Sequence, residues 1–168
     1  TSQTIAAAPS IEENNRKSRC GPLIMIIRPM DLEHIKNIVD ARHNIVHALD
    51  IILLSTADAD TCEASMPIGE NARQPFGYAS GGALLALAEA LAGAGSMALR
   101  PGCSCVGINV SGNHINAVAE GDEVKAVARI VSKGNKLHVW NVDIFRGDGE
   151  LASTVRVTNY ITQLEEKK

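Results

Sequence analysis

The sequence predicts an α+β fold in which one long, buried helix lies across an antiparallel sheet. Residues 80–98 form an almost uncharged run of helical length, and a helix that is apolar on every side is usually buried. Three or four segments of alternating apolar and polar residues follow, which is typical of antiparallel strands with one buried face. Such a sheet needs a cover, and this helix is the only segment apolar enough to provide it.

The composition fits a single globular domain. Of 168 residues, 45% are hydrophobic and 21% are charged, and the net charge of −3 comes without long runs of like charge. This balance is close to globular averages and argues against a nucleic-acid-binding surface. We expect a disordered tail over residues 1–20, one domain over 21–162 and a charged tail over 163–168.

The cysteines and the start of the chain predict a cytoplasmic protein. The first residues lack the basic and apolar segments of a signal peptide. The four cysteines show no disulfide spacing, so reduced thiols are expected. Cys103 and Cys105 would share one face of a strand, but only His114 is available as a further ligand, so no metal site is predicted. The cysteines are Cys20, Cys62, Cys103 and Cys105.

Two elements are predicted before the long helix. Residues 30–51 have a helical period, with Asp31 as a candidate N-cap. Residues 50–68 form two extended arms, or one bent strand, around a turn at 57–60. A loop over 69–79 then leads to the long helix. The predicted apolar stripe of the first helix contains Leu32, Ile35, Ile38 and Val39.

The strands after the long helix are predicted from alternation and turn residues. Pro101 and Gly102 end the helix, and the first strand covers 103–110. The later strands cover 122–131, 136–145 and 150–161, separated by Gly-containing turns. Trp140 is expected in the core. In the second of these strands the residues predicted to point inward are Val124, Ala126, Ala128 and Ile130.

Glu89 is the only formally charged residue from Gln74 to Leu99. A carboxylate is tolerable in an apolar helix where it faces a cleft, and desolvation there raises its basicity toward that of a general base. An ion pair with Arg73 or Arg100 would be a purely structural alternative. A membrane span of this length is not expected, because a carboxylate near its centre costs roughly 2.5–3.5 kcal/mol.

The start of the long helix is a candidate oxyanion site. Free N–H groups and the positive end of the helix dipole lie there. Glycines at 81 and 82 would let a carbonyl group approach the backbone closely, although they could instead serve close packing. Ser80 is expected to be the N-cap and to bond an amide of the first turn. Tyr78 breaks the pattern of a serine nucleophile elbow, so a nucleophilic Ser80 is not favoured.

The segment "RQPFGYASGGALLALAEALA", with the order of the elements around it, resembles the hot-dog-fold acyl-CoA thioesterases, in particular the branch of the 4-hydroxybenzoyl-CoA and 1,4-dihydroxy-2-naphthoyl-CoA thioesterases. Residues 22–161 share the likeness, which implies the hot-dog fold, a curled antiparallel sheet wrapped around a long central helix. Gln74 matches the family's loop glutamine, Gly81 and Gly82 match its glycine pair, and Glu89 matches its catalytic carboxylate. Two positions differ from the family pattern. Ser80 stands where the family usually has the histidine that opens the helix, and Asn116-Ala117 stand where it often has an Arg-Pro pair after the first strand that follows the helix.

The resemblance implies hydrolysis of an aromatic or medium-sized acyl-CoA to free acid and CoA, with no cofactor other than the CoA of the substrate. It also implies sites shared within a homodimer or homotetramer, with Gln74 and Gly81 from one subunit and Glu89 from the other. A second subunit would also cover the apolar far side of the helix. Asn135 and Lys136 are candidates for contacts to the pantetheine or nucleotide arm, and His114 for the cleft.

Three alternatives stay open at this point. Glu89 either attacks the thioester and forms an anhydride or activates water, and the sequence does not choose between these roles. A non-catalytic acyl-CoA-binding protein is the second reading, because Ser80 replaces the helix-opening histidine. A hot-dog hydratase or dehydratase is the third, and it ranks last because residues 74–82 contain no histidine.

Overall fold

The computed structural model describes residues 29–163, which form one antiparallel sheet packed around a long helix. The sheet has six strands in the order β1-β2-β4-β5-β6-β3, and each neighbouring pair is antiparallel. The predicted α+β architecture is confirmed. The helices are α1 Glu33–Val39, α2 Ile45–Ala48 and α3 Gly81–Leu99; the strands are β1 Ile52–Leu54, β2 Thr61–Pro67, β3 Cys103–His114, β4 Glu123–Lys133, β5 Leu137–Phe145 and β6 Leu151–Gln163.

The limits of the domain stay predictions. Residues 1–20 and 164–168 of the two predicted tails lie outside the described residues. Within the described part, the four strands predicted after the long helix are all present; β3, β4 and β6 extend two to four residues further than expected at their carboxyl ends, and β5 ends at Phe145 as expected. The inward alternation of β4 is also confirmed for Val124, Ala126 and Ala128, which are fully buried, while Ile130 lies at a bulge and is only partly buried.

Helix α3 is the centre of the core, as its apolar sequence predicts. Its length and composition would suffice for a membrane span, but half of the helix is buried inside the fold. The helix packs closely against the sheet: a carbon added to Gly95 would lie 2.7 Å from the Trp140 ring and 2.9 Å from Cys62 Sγ. Residues of α3 that are buried include Ala83, Leu84, Leu87, Ala88, Leu91, Ala92 and Ala94.

Strand β3 runs along α3 at one edge of the sheet, and small residues lie where the two elements touch. Cys105 Sγ donates to Gly93 O at 3.3 Å. A carbon added to Gly107 would lie 2.3 Å from Glu89 Oε1. The other long side of β3 has no strand beside it among the described residues, and most of the strand is exposed.

The prediction of one continuous helical segment over residues 30–51 is wrong, because this part of the chain forms two separate helices, α1 and α2. Asn44 starts the second helix: its Oδ1 accepts from Val46 N–H, and His47 Nδ1 accepts from Asn44 N–H. This capping box ends the continuous helical path. Leu32 holds the N-cap position of α1, although Asp31 Oδ1 still accepts the Glu33 N–H at 2.9 Å. Because of the break, Ile38 of the predicted stripe is half exposed, whereas Leu32 and Ile35 are buried.

The expectation of four reduced thiols is wrong for Cys103, which is disulfide-bonded. Such a bond joins positions that the fold brings together, so spacing along the chain need not reveal it. Cys62 and Cys105 are free thiols. Burial raises the pKa of Cys62 to about 12 and that of Cys105 to about 11. Both are therefore neutral at physiological pH and are poor candidates for a thiolate nucleophile.

A buried polar network holds the carboxyl-terminal half of α3 against β5 and β6. Ser96 Oγ accepts from Trp140 Nε1–H at 2.9 Å and from Asn159 Nδ2 at 3.0 Å, and it lies 3.1 Å from His138 Nδ1. With two donors already on Oγ, the serine proton is directed to His138 Nδ1. The proton of the neutral imidazole is then on Nε2, which is also buried.

This network makes stability depend on pH. Burial, and then the charges of Arg100 and Lys133, lower the pKa of His138 from 6.5 to about 4. Between these two values the unfolded chain binds a proton that the native histidine does not, so we expect the free energy of unfolding to fall as the pH decreases from about 6.5 to 4. Urea denaturation at several pH values measures the slope.

His138→Asn is the matched variant, because its amide oxygen can still accept from Ser96 while the side chain does not titrate. We expect this variant to show a smaller loss of stability in the same pH range. Equal slopes for the two proteins would mean that other groups account for the pH dependence.

Candidate active site

The start of α3 leaves two backbone donors open. Ala83 N–H and Leu84 N–H both donate to Ser80 O, at 3.1 and 3.2 Å. Within the described residues, the Gly81 and Gly82 N–H groups have no hydrogen-bond partner. These donors lie at the positive end of a 19-residue helix and can bind an oxyanion.

Ser80 holds the N-cap position with extended backbone dihedrals, as predicted, but its side chain makes no capping hydrogen bond. The expected bond to an amide of the first turn is therefore wrong. Instead, Ser80 is fixed through its backbone, because Ser80 N–H donates to Ala72 O at 2.7 Å. The Ser80 hydroxyl consequently does not compete for the open amides of Gly81 and Gly82.

Gln74 lies in the tight turn that precedes the helix. Its N–H donates to Tyr78 O at 2.7 Å, and its Oε1 accepts from Phe76 N–H at 2.7 Å. Its amide nitrogen donates to no described residue, so this nitrogen remains available for a ligand carbonyl. The loop itself is held by an ion pair between Arg73 and Glu120.

His114 reaches the start of α3 from the end of β3. Its Nδ1 is 2.8 Å from Ser153 Oγ on the neighbouring strand β6. A carbon added to Gly81 would lie 2.6 Å from His114 Nε2. The imidazole therefore lies beside the open amides, much closer to the candidate site than its position in the sequence indicates.

Glu89 is exposed in the single chain and forms no ion pair or hydrogen bond with any described residue. The structural alternatives are wrong, because Arg73 pairs with Glu120 and Arg100 donates to Asn135 Oδ1 at 3.3 Å. The carboxylate instead lies against Gly107 of β3. An unpaired carboxylate on an otherwise apolar helix is available for chemistry rather than for an ion pair.

Asn135 and Lys136 are at the opposite end of α3 from the open amides. Asn135 contacts Arg100, the C-cap of the helix, and Lys136 Nζ lies 5.8 Å from the centroid of the Tyr160 ring. Both residues are exposed. Their predicted contacts to CoA stay predictions.

The site residues thus form two separate groups within one chain. Ser80, Gly81, Gly82 and His114 lie at the helix start, and Gln74 lies in the turn that precedes it. Glu89 lies eight residues further along the helix than Gly81. At about 1.5 Å per residue this separation is about 12 Å along the axis, too far for one carbonyl group to touch both. Among the described residues, no group of three His, Cys, Asp or Glu side chains is arranged to hold a metal ion.

Sequence reasoning missed two residues that shape this site. Ser153 looked like an ordinary strand residue, yet its side chain contacts His114. Gly107 lies in the middle of β3, where glycine is unfavourable, and this position makes room for Glu89. A glycine inside a predicted strand was the available signal for the second residue.

Known proteins match this chain in sequence and in fold. Residues 76–153 match the family model described as "Thioesterase superfamily". The putative esterase ComA2 of Bacillus subtilis is 37% identical over 122 residues, which cover 71% of this chain and 95% of the relative. The 1,4-dihydroxy-2-naphthoyl-CoA hydrolase of Escherichia coli is 35% identical over 119 residues, covering 70% and 86% of the two chains.

Solved structures give the same result at the level of the fold. A mutant of thioesterase PA1618 from Pseudomonas aeruginosa superposes with a TM-score of 0.73 and 31% identity, covering 80% of this chain and 95% of that one. Thioesterase HI1161 from Haemophilus influenzae gives a TM-score of 0.72, again with 31% identity, and covers 83% and 96%. The chain therefore belongs to the thioesterase superfamily and has the hot-dog fold that its α3 and surrounding sheet define.

Proposed function

We propose that this protein hydrolyses an acyl-CoA thioester to the free acid and CoA, with Glu89 as the nucleophile or general base. The observation that carries the proposal is the unpaired, exposed carboxylate of Glu89 on an apolar helix whose amino terminus leaves two amides open. Hydrolysis of a thioester needs both parts: an activated oxygen and donors for the developing oxyanion. Gln74 contributes its free amide nitrogen as a further contact to the carbonyl.

The acyl group is proposed to be aromatic or medium-sized. A relative that is 35% identical carries the name 1,4-dihydroxy-2-naphthoyl-CoA hydrolase, which supports a bulky ring as one candidate. Asn135 and Lys136 are retained as candidates for contacts to the CoA arm.

The experiment is a panel of CoA esters that includes benzoyl-CoA, a naphthoyl-CoA, straight-chain esters and a 2-enoyl-CoA, with thiol release as the readout. We expect release from at least one aromatic or medium-sized ester. Binding of esters without thiol release would support the non-catalytic alternative. Loss of enoyl absorbance without thiol release would support a hydratase.

The catalytic groups are proposed to come from two subunits. The separation of about 12 Å along α3 means that one carbonyl cannot reach both the helix start and Glu89 of the same chain. A second copy could supply the missing half through the long, exposed edge of β3. Unpaired strand edges readily pair with another chain, and this edge carries exposed Val106 and Ile108.

Sedimentation is therefore expected to show at least a dimer at micromolar concentration. Ile108→Glu should weaken the dimer and reduce turnover together, since a charge at the β3 edge opposes strand pairing. Ile52→Glu is the matched control: Ile52 is 56% exposed on β1, the opposite edge strand, and Ile108 is 58% exposed. A fully active monomer would overturn the shared-site proposal.

A further inference from the structure

His114 occupies the space that a side chain at position 81 would fill. A carbon added to Gly81 would lie 2.6 Å from His114 Nε2 and 2.9 Å from its Cδ2, closer than real contacts allow. The imidazole can take this position only because residue 81 is glycine. His114 Nε2 and the open Gly81 N–H therefore border the same small space at the amino terminus of α3.

Ser153 determines which ring nitrogen carries the proton. It is the cross-strand neighbour of His114, it is fully buried, and its Oγ lies 2.8 Å from His114 Nδ1. No other described residue hydrogen-bonds to this hydroxyl. A buried O–H that donates to nothing is costly, so the hydroxyl donates to Nδ1. The neutral imidazole then keeps its proton on Nε2, which faces the helix start as a donor.

The backbone beside His114 is held firmly to β6. Ile115 N–H and Asn116 N–H both donate to Ala152 O, at 2.7 and 3.2 Å. Asn116 Nδ2 also donates to Leu151 O at 2.8 Å. With the ring held by Ser153 and the backbone held by these bonds, Nε2–H is oriented before any ligand arrives, which is what stabilisation of an oxyanion requires.

We propose that His114 is a catalytic residue whose Nε2–H donates to the thioester carbonyl oxygen beside the helix amides, with Ser153 as its positioning residue. The inference rests on the proposed thioester hydrolysis. It also supplies a side-chain donor at the helix start in a chain where Ser80, not histidine, opens the helix. In this assignment His114 stabilises charge and transfers no proton.

The reaction balances without a proton on His114. Written for addition of water, Glu89 takes one proton from the water, the hydroxide oxygen bonds to the carbonyl carbon, and the carbonyl electron pair moves to oxygen. That oxygen accepts from His114 Nε2–H and from a helix amide. When this electron pair forms the carbonyl bond again, the C–S bond breaks. The departing thiolate takes the proton from Glu89, which gives the free acid and CoA.

The first test compares kcat and KM in His114→Phe, His114→Gln and His34→Phe, using the ester of the panel above that the wild type hydrolyses fastest. Loss of the donor in His114→Phe should lower kcat about 100-fold, as for other oxyanion donors, with little change in KM. Gln can donate through its amide and should restore much of the loss. His34 is an exposed histidine of α1, so His34→Phe should behave as wild type. If His114→Phe kept the kcat of the wild type, the role of His114 would be wrong and the proposed function would stand. If the wild type released no thiol from any ester, the proposed function would be wrong as well.

The second test does not depend on turnover. Nitrogen NMR of histidine-labelled protein should find His114 protonated on Nε2, and Ser153→Ala should shift it toward a mixture of tautomers. Adding S-phenacyl-CoA, a thioether whose ketone mimics the substrate carbonyl, should move the Nε2 resonance. A proton on Nδ1 in the wild type would overturn the assignment even in an active enzyme. So would an Nε2 resonance whose chemical shift does not change when the analogue binds.

Discussion

Glu89→Gln is expected to lower kcat at least about 100-fold for any CoA ester that the wild type hydrolyses, the low end of the effects seen for general acid–base groups. Glutamine has nearly the same shape but neither attacks a thioester nor accepts a proton from water. The melting temperature should change little, because Glu89 forms no ion pair or hydrogen bond with a described residue whose loss would cost stability. Steady-state kinetics and thermal melts on the same preparations measure both.

Glu123→Gln is the control for Glu89→Gln. Glu123 is also an exposed carboxylate without an ion pair to a described residue, but it begins β4 and is not part of α3. Its substitution should leave kcat unchanged. If Glu89→Gln hydrolyses esters as fast as wild type, the carboxylate is not catalytic. Rapid-quench mass spectrometry of the wild type then separates the two roles, since only a nucleophile would carry an acyl group.

The fold was predictable because its strongest signals are local. The uncharged run of α3 and the alternation of β4 to β6 each follow from residues close together in the sequence. The first helix shows where local reasoning fails. A helical period ran through residues 40–44, but Asn44 and His47 formed a capping box that started a new helix there. Polar residues that cap a helix can also lie inside one, and tertiary packing decided between these outcomes.

The site was predictable only in part, because its pairs are distant in sequence. Glu89 was identified as the only charged residue of an apolar run, a signal that lies within one short segment of the sequence. In the sequence His114 is an isolated histidine, because the two residues that place it at the helix start, Gly81 and Ser153, are distant from it along the chain. Those contacts depend on β3 pairing with β6 while it packs against α3, so the first strand after the helix lies at the edge of the sheet.

The two glycines at the helix start should respond very differently to the same substitution. Gly81→Ala puts a carbon 2.6 Å from His114 Nε2, so the imidazole must leave its place, and the carbon also narrows the approach to the open amides. A carbon at Gly82 would meet only Ser80 Oγ, at an ordinary 3.6 Å. Gly82→Ala keeps the backbone N–H, and alanine favours the helix over glycine.

We therefore expect Gly81→Ala to fold but to lose about 100-fold in kcat, the cost of removing an oxyanion donor. Gly82→Ala should lose less than about tenfold in kcat and melt at the same or a higher temperature. Because both variants add one methyl group to adjacent residues of one helix turn, the general effects of alanine on the helix cancel between them. The difference in kcat then reports on the space that Gly81 leaves for His114. Equal losses in the two variants would mean that crowding of the helix start, rather than displacement of His114, limits turnover. No loss in Gly81→Ala would mean that the oxyanion is bound elsewhere.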